Sequence, residues 1–347
     1  MNFRAFTAIA LSILAAFYTL LDSGYKYVSY SYKTDTLQTP SVILGSIAES
    51  IFESNDLLSE PIFKENTPTS EPSEEKSVPV SATGTAQGKI ISEFLSPYSA
   101  NTSYGKVYLK NSTGTNVDIS ALLKAKLSFK VERSAEPQVL IIHTHTTESY
   151  ILHDSDYYTE NDEARRLSEA ENMVAIGNIF EKTLTEAGIA VIHDTTIHDH
   201  PSYTGSYTRA AESIKSDLVA YPSIKVVIDI HRDAITRDTD KVKPVAEIDG
   251  KKAAQVMLVM GSQTGGISDF PNWQENLKLA VKYQEKMETN YPGLARYIML
   301  NSAKYNQNLT VGSILLEVGS EANTLSEAKL GAQLSANALV ELFKEEW

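Results

Sequence analysis

A chain of 347 residues without cysteine, carrying a formal charge of −13 at pH 7, has room for one large domain with accessories or for two ordinary domains. The missing cysteine removes thiolate nucleophiles, cysteine zinc sites and disulfides, so any metal must rest on His, Asp or Glu. The acidic balance argues against nucleic acid as a partner, since a phosphate backbone is held mainly by Lys and Arg, and it disfavours anionic membrane surfaces for the same reason.

The first element is the apolar run FRAFTAIALSILAAFYTLL at 3–21, broken only by Arg4, Thr7, Ser12 and Thr19. Its length matches the shortest helix that spans a bilayer. No small-x-small cleavage site follows in LDSGYKY, so residues 1–21 read as an uncleaved signal anchor rather than a cleaved secretory signal. The favoured orientation puts the amino terminus inside and the bulk of the chain outside the cytoplasm. Residues 22–90 read as an extracytoplasmic linker. Its stretch KENTPTSEPSEEKSVPVSATGTAQGK is rich in Pro, Ser, Thr and Glu and cannot offset its own ordering entropy. A short ordered extension is expected over 91–137, where GKVYLKNSTGTNVDISALL predicts a hairpin and then a helical turn.

From Gln138 the pattern becomes apolar runs of strand length separated by helical spacing. QVLII, IAVIHD, IKVVIDI, AAQVMLVMG and SILLEV read as strands. ENMVAIGNIFEKTLTEAG, YTRAAESIKSDLVAY, WQENLKLAVKYQEKMETNY and TLSEAKLGAQLSANALVELFKEE read as helices, the first stopping at Gly188. Continuous apolar strands alternating with amphipathic helices predict one α/β domain over 138–347, with a mixed, mostly parallel sheet covered by helices on both faces.

Ligands of such sheets gather beyond the carboxyl ends of the strands. QVLII ends at His143, IKVVIDI at His231, and SILL runs into Glu317. Two imidazoles and a carboxylate at one sheet edge form the donor set of a catalytic zinc, whose water would attack a carbonyl while a glutamate moves protons. His145 lies two residues beyond His143 and either completes the metal set or orients it. Glu148 is a ligand, a second proton carrier or a residue that holds the loop. Glu171 is a further carboxylate candidate, although a charge favouring the next helix's amino terminus is its plainer reading. Asp229 reads as a buried acceptor, and His198 and His200 as structural residues of a polar loop.

IIHTHTTESY, VVIDIHRDA, YNQNL and ILLEVGSEANTLSEA, in this order behind an amino-terminal apolar segment, resemble the stage II sporulation protein P family over about residues 90–347. That resemblance implies a fold like that of the zinc N-acetylmuramoyl-L-alanine amidases. It also implies cleavage of the amide between muramic acid and its stem peptide, and endopeptidase cutting of cross-links. It further implies a role in forespore engulfment from the mother-cell membrane, facing the intermembrane space, alongside sporulation proteins D and M. By the same resemblance His143 and His231 match histidine ligand positions, with the third ligand open among His145, Glu148 and Glu171. Glu317 matches the general acid and base, with Glu148 as a second catalytic carboxylate. Arg232, Asn306 and Gln307, with Tyr305, belong to matched motifs and are expected to contact substrate. Two other readings compete: a non-catalytic anchored scaffold that binds glycan or a partner, and a metal-dependent hydrolase of another extracytoplasmic substrate.

Overall fold

The structure is a computed structural model that describes residues 84–345. The expected anchor at 1–21 and nearly all of the expected linker lie outside the described residues. Among the described residues no helix is long and apolar enough to cross a membrane.

The elements run β1 (Ala86–Glu93), β2 (Thr102–Tyr104), β3 (Val107–Asn111), α1 (Ile119–Lys124), β4 (Ser134–Ile142), β5 (Tyr157–Thr159), α2 (Met173–Glu186) and β6 (Ile189–His193). They continue with α3 (Ser206–Ala220), β7 (Val226–Asp233), β8 (Thr236–Arg237), β9 (Asp240–Ile248), β10 (Lys251–Ala254), β11 (Val256–Gly261), α4 (Trp273–Asn290), β12 (Ile298–Asn301), β13 (Ser313–Ser320) and α5 (Leu325–Glu345). A hairpin does form in the extension, but as β2 and β3 paired antiparallel around Gly105, ahead of the Asn/Gly cluster expected to turn it; the helical turn is α1. β1 opens at Ala86, inside the stretch that composition assigns to the linker.

Eight strands form the main sheet in the order β2-β3-β12-β11-β13-β7-β4-β6. β13, β7, β4 and β6 are mutually parallel, β11 runs antiparallel to β13, and β12 and β3 run with β11. The sheet is therefore mixed. A second sheet, in the order β10-β9-β1-β5 with β8 on β9, is also mixed.

Side chains alternate across a strand, and here the alternation sorts the core into layers. Val139, Ile141, Val226, Ile228, Ile230, Ile314 and Leu316 point to the face covered by α2, α4 and α5. Leu140, Ile142 and Val227 point to the opposite face, under Ala210 and Ile214 of α3. Burying each such aliphatic side chain stabilises the fold by about 1.5–3 kcal/mol before entropy is counted. The helices start where local chemistry directs. Asn172 Oδ1 accepts the Val174 N–H at 2.9 Å and caps α2. Thr324 and Glu327 exchange side-chain and backbone hydrogen bonds at 3.1 and 3.0 Å as a capping box for α5.

Candidate active site

β4, β7 and β13 end side by side, and the segment 143–172 folds back over their carboxyl ends. Glu317 on β13 lies in register with His231 on β7, so the two side chains stand together on the face covered by α3. His231 is almost wholly buried. Its Nδ1 is 3.6 Å from Glu148 Oε2, and its Nε2 is 2.9 Å from Asp229 Oδ1, an ion-pair contact too oblique for a hydrogen bond. Asp229 is held in turn by the Thr144 N–H at 2.9 Å and the Thr144 hydroxyl at 2.6 Å. Burial alone would lower the pKa of His231, but Asp229 and Glu148 outweigh it and raise it well above the usual imidazole value. Burial likewise pushes Asp229 and Glu148 upward, and their cationic and hydrogen-bonding neighbours reverse the sign, chiefly His231 for Asp229 and Arg232 for Glu148.

His145 meets His231 edge-on, with ring centroids 5.3 Å apart. Tyr203 stacks on the His145 ring at 4.5 Å, and its hydroxyl is 3.1 Å from His145 Nε2. The Arg165 guanidinium lies over the Tyr203 ring at 4.8 Å and pairs with Asp199. Burial lowers the His145 pKa to about 4, so its ring is neutral near pH 7. Glu317 shows the opposite response of a carboxyl to a dry site: burial, reinforced by Asp233 and Glu148, raises it to about 8 against the pull of His231 and Arg232. Tyr207, half-buried, lies nearly parallel to His231 at 6.5 Å. Burial and the carboxylates of Asp229, Glu317 and Glu148 push its phenol upward.

The structure thus brings together His145, His231, Glu148 and Glu317. His143 is placed elsewhere. It shares the phase of Ile141 and faces α2, where its Nδ1 lies 3.1 Å from the Ile230 carbonyl and its Nε2 2.9 Å from His193 Nε2. Gly177 of α2 makes room for this pair, because a Cβ there would sit 2.3 Å from His193 Nε2 and 2.7 Å from His143 Nε2. Burial, with His193 adding to it, lowers the His143 pKa to about 3. Glu171 pairs with Arg166 at 3.6 Å, away from the cluster.

The residues expected to touch substrate are turned inward. Arg232 is 6% exposed and gives its guanidinium to the carbonyls of Ser149 and Ala164 at 3.1 and 2.7 Å, fastening the covering segment. Gln307 bridges Gly261 N–H and the Val259 carbonyl at 2.8 Å each. Asn306 donates to the Tyr207 carbonyl at 2.8 Å. His198 is structural, between the His143 carbonyl at 2.9 Å and the Ser213 hydroxyl at 3.0 Å. Tyr203, Tyr207, Arg165 and Asp199 were not singled out in the sequence; the Tyr-x-x-x-Tyr spacing beside HDHP was their only signal.

Among the described residues no three His, Asp or Glu side chains already converge as a metal cage. Three buried polar atoms of the cluster nevertheless lack a hydrogen-bond partner: His145 Nδ1, His231 Nε2 and Glu317 Oε2. Buried polar atoms are nearly always paired, and two imidazole nitrogens with a carboxylate oxygen are donors that zinc accepts. The residues fit such an ion.

Comparison with known proteins places this chain in a family. The model for "Stage II sporulation protein P" matches residues 49–340. A curated relative, stage II sporulation protein P of Bacillus subtilis (strain 168), is 34% identical over 219 residues, covering 60% of this chain and 50% of that protein. The match therefore spans half the length of that relative. Solved structures with some likeness include N-acetylmuramoyl-L-alanine amidase AmiC2 of Nostoc punctiforme, at 11% identity and a TM-score of 0.35 over 60% of this chain and 96% of that one. Another is the CwlD amidase of Clostridioides difficile in complex with the GerS lipoprotein, at 12% identity and a TM-score of 0.37 over 60% and 98%. The family match covers most of the chain: it belongs to the stage II sporulation protein P family.

Proposed function

We propose that the chain is a zinc-dependent peptidoglycan hydrolase that cuts the amide joining muramic acid to its stem peptide and, with the same groups, the peptide cross-links. The observation that carries this reading is the buried cluster of His145, His231 and Glu317, with three polar atoms that make no hydrogen bond, beside an ionised Glu148. His145 and His231, with a carboxylate of the cluster, would hold the ion, which when bound supplies Lewis acidity and a more acidic water.

The chain's own residues supply the rest. Asp229, held by Thr144, fixes the His231 ring, while Tyr203, covered by Arg165, fixes His145. Glu317, with a pKa of about 8, exchanges a proton readily near neutrality: as carboxylate it takes one from the attacking water, and as acid it gives one to the leaving amine. A muramoyl amide and a peptide bond pass through the same kind of tetrahedral oxyanion, so one site serves both cuts.

Family membership supports a place in sporulation, and the reading extends to engulfment, with residues 1–21 anchoring the domain outside the cytoplasm of the mother cell and sporulation proteins D and M as partners. The test is digestion of purified sacculi by the full-length chain with and without chelator, with products resolved by mass spectrometry. Stem peptides or split cross-links that vanish on chelation are expected. Intact sacculi from a folded, zinc-loaded chain would overturn the reading and favour a scaffold that binds the wall.

A further inference from the structure

Tyr207 stands in the first turn of α3, held on three sides by other rings. Besides lying nearly parallel to His231, it meets His145 edge-on at 5.6 Å and Tyr305 at 6.3 Å. Its backbone is fixed as well, through the Asn306 amide on its carbonyl. Tyr305 and Asn306 both adopt left-handed backbone, with φ of 49° and 56°. Two successive non-glycine residues in that region cost on the order of 1 kcal/mol or more each, and they sit on the loop that seats Tyr207.

The hydroxyl of this well-held ring makes no hydrogen bond among the described residues. That sets it apart from its neighbours. Tyr150 donates to the Val318 carbonyl at 2.7 Å, Tyr283 to Ser335, and Tyr203 is engaged with His145. A phenol is protonated near neutral pH and donates, and the hydroxyl of half-buried Tyr207 is open to solvent rather than closed in by the protein. Asp229 is already engaged by Thr144, and Glu148 by the Arg232 N–H and by Arg165. The Tyr207 ring therefore stands beside the two histidines, within electrostatic reach of Glu317, with its hydroxyl unengaged by the chain.

We propose that Tyr207 is a catalytic hydrogen-bond donor to the carbonyl oxygen of the scissile amide, the group on which negative charge develops. The assignment rests on the hydrolase reading. Water adds to the carbonyl carbon, the carbon–nitrogen bond breaks, and the amine leaves with a proton from Glu317. The Tyr207 O–H bond stays intact throughout, and its hydrogen bond strengthens only while the oxygen is anionic. Such a donor acts on turnover more than on substrate binding.

The experiment compares the full-length chain with its Tyr207→Phe variant, both zinc-loaded, on a purified muramoyl peptide. Removing one oxyanion donor lowers kcat by about 10²–10³-fold, with KM, thermal midpoint and zinc uptake unchanged. In parallel, titration with a phosphinate analogue of the tetrahedral intermediate is expected to show a loss of affinity of similar size, while an uncleavable amide binds both proteins equally. A variant with wild-type kcat and analogue affinity overturns the assignment while leaving the hydrolase reading intact. So does one altered only in KM, or one that loses its fold or zinc, because a free hydroxyl supports neither. A wild-type chain that cleaves nothing overturns the hydrolase reading, and the assignment falls with it.

Discussion

Glu317 and His231 face each other across adjacent parallel strands, one a carboxyl held largely protonated and the other an imidazole held charged. The inversion follows from burial acting on both: Asp229 and Glu148 rescue the charge of His231, whereas Asp233 and Glu148 aggravate that of Glu317. The folded-state pKa of Glu317, about 8, exceeds the ordinary carboxyl value of 4.5. Its contribution to stability is therefore most favourable below about pH 4.5 and is lost as pH rises toward 8. For the zinc-free protein, Glu317→Gln is expected to leave stability unchanged at pH 4 and to raise it by up to about 3 kcal/mol at pH 7. Denaturant midpoints across that range check it. A variant equal in stability to the parent at pH 7 would mean that Glu317 is ionised there. The same substitution is expected to abolish hydrolysis, so stability and activity move in opposite directions.

Gly177 decides whether His143 and His193 can meet. Replacing a mid-helix glycine with alanine ordinarily gains about 1 kcal/mol. Here the new methyl would overlap both imidazoles, which lie under a packed helix and have hydrogen-bonding partners at both ring nitrogens. Overpacking of that kind costs about 1–3 kcal/mol or more, so the clash wins. Gly177→Ala is expected to destabilise the protein by about 2 kcal/mol, read as a lower thermal midpoint. Isothermal zinc titration should separate the histidines further: His145→Ala and His231→Ala lose affinity, whereas His193→Ala keeps it.

The placement of His143 shows what periodicity conveys and what it omits. The apolar runs leading to His143, His231 and Glu317 could be read as strands, because a buried strand between two helical layers has little else to be made of, although β7 and β13 continue past His231 and Glu317 to Asp233 and Ser320. Which face the next residue takes depends on register, and Ile142 pairs with Asp229. His143 is therefore one step out of phase with the Asp229 and His231 face, and one step reverses the side. His145 returns to the cluster only because 144–147 form a turn, which neither spacing nor apolarity reveals. The second sheet was hidden for other reasons. β5, β8 and β10 are two to four residues long, and β9 contains Pro244, which argues against a strand until its neighbour is known. The Asp249-Gly250 turn between β9 and β10, with φ of 50° and 71°, is a hairpin signal that the apolar run beyond it obscured.

Lys243 connects that second sheet to α5. Its ammonium is buried, 2.9 Å from Glu327 and 3.3 Å from Asp154. Burial would lower its pKa, but the two carboxylates outweigh that and raise it. The pair's contribution is thus fully present below the ordinary lysine value of 10.5 and is lost as pH climbs through the raised one. Lys243→Met leaves Glu327 buried without its cation, which costs about 3–5 kcal/mol in such pairs. Asn323 and the Thr324 N–H still hold the carboxylate at 3.0 Å each, so a loss near 3 kcal/mol is expected. Chemical denaturation at pH 7 measures it, and Lys243→Met combined with Glu327→Gln is expected to recover part of the loss.

Zinc uptake offers the sharpest test of the cluster, because the metal-free site holds His231 as an imidazolium between Asp229 and Glu148. A protonated imidazole has no lone pair for a metal, so binding must expel that proton. His145 is already neutral near pH 7 and releases none. Calorimetric titration in two buffers of different ionisation enthalpy is expected to report close to one proton released per zinc at pH 7. Affinity should rise about tenfold per pH unit until His231 deprotonates on its own. His231→Ala is expected to remove both the release and most of the affinity. Zinc binding with no proton released, or with the release retained after that substitution, would show that the ion is held by other residues and that His231 serves only as a buried ion-pair partner.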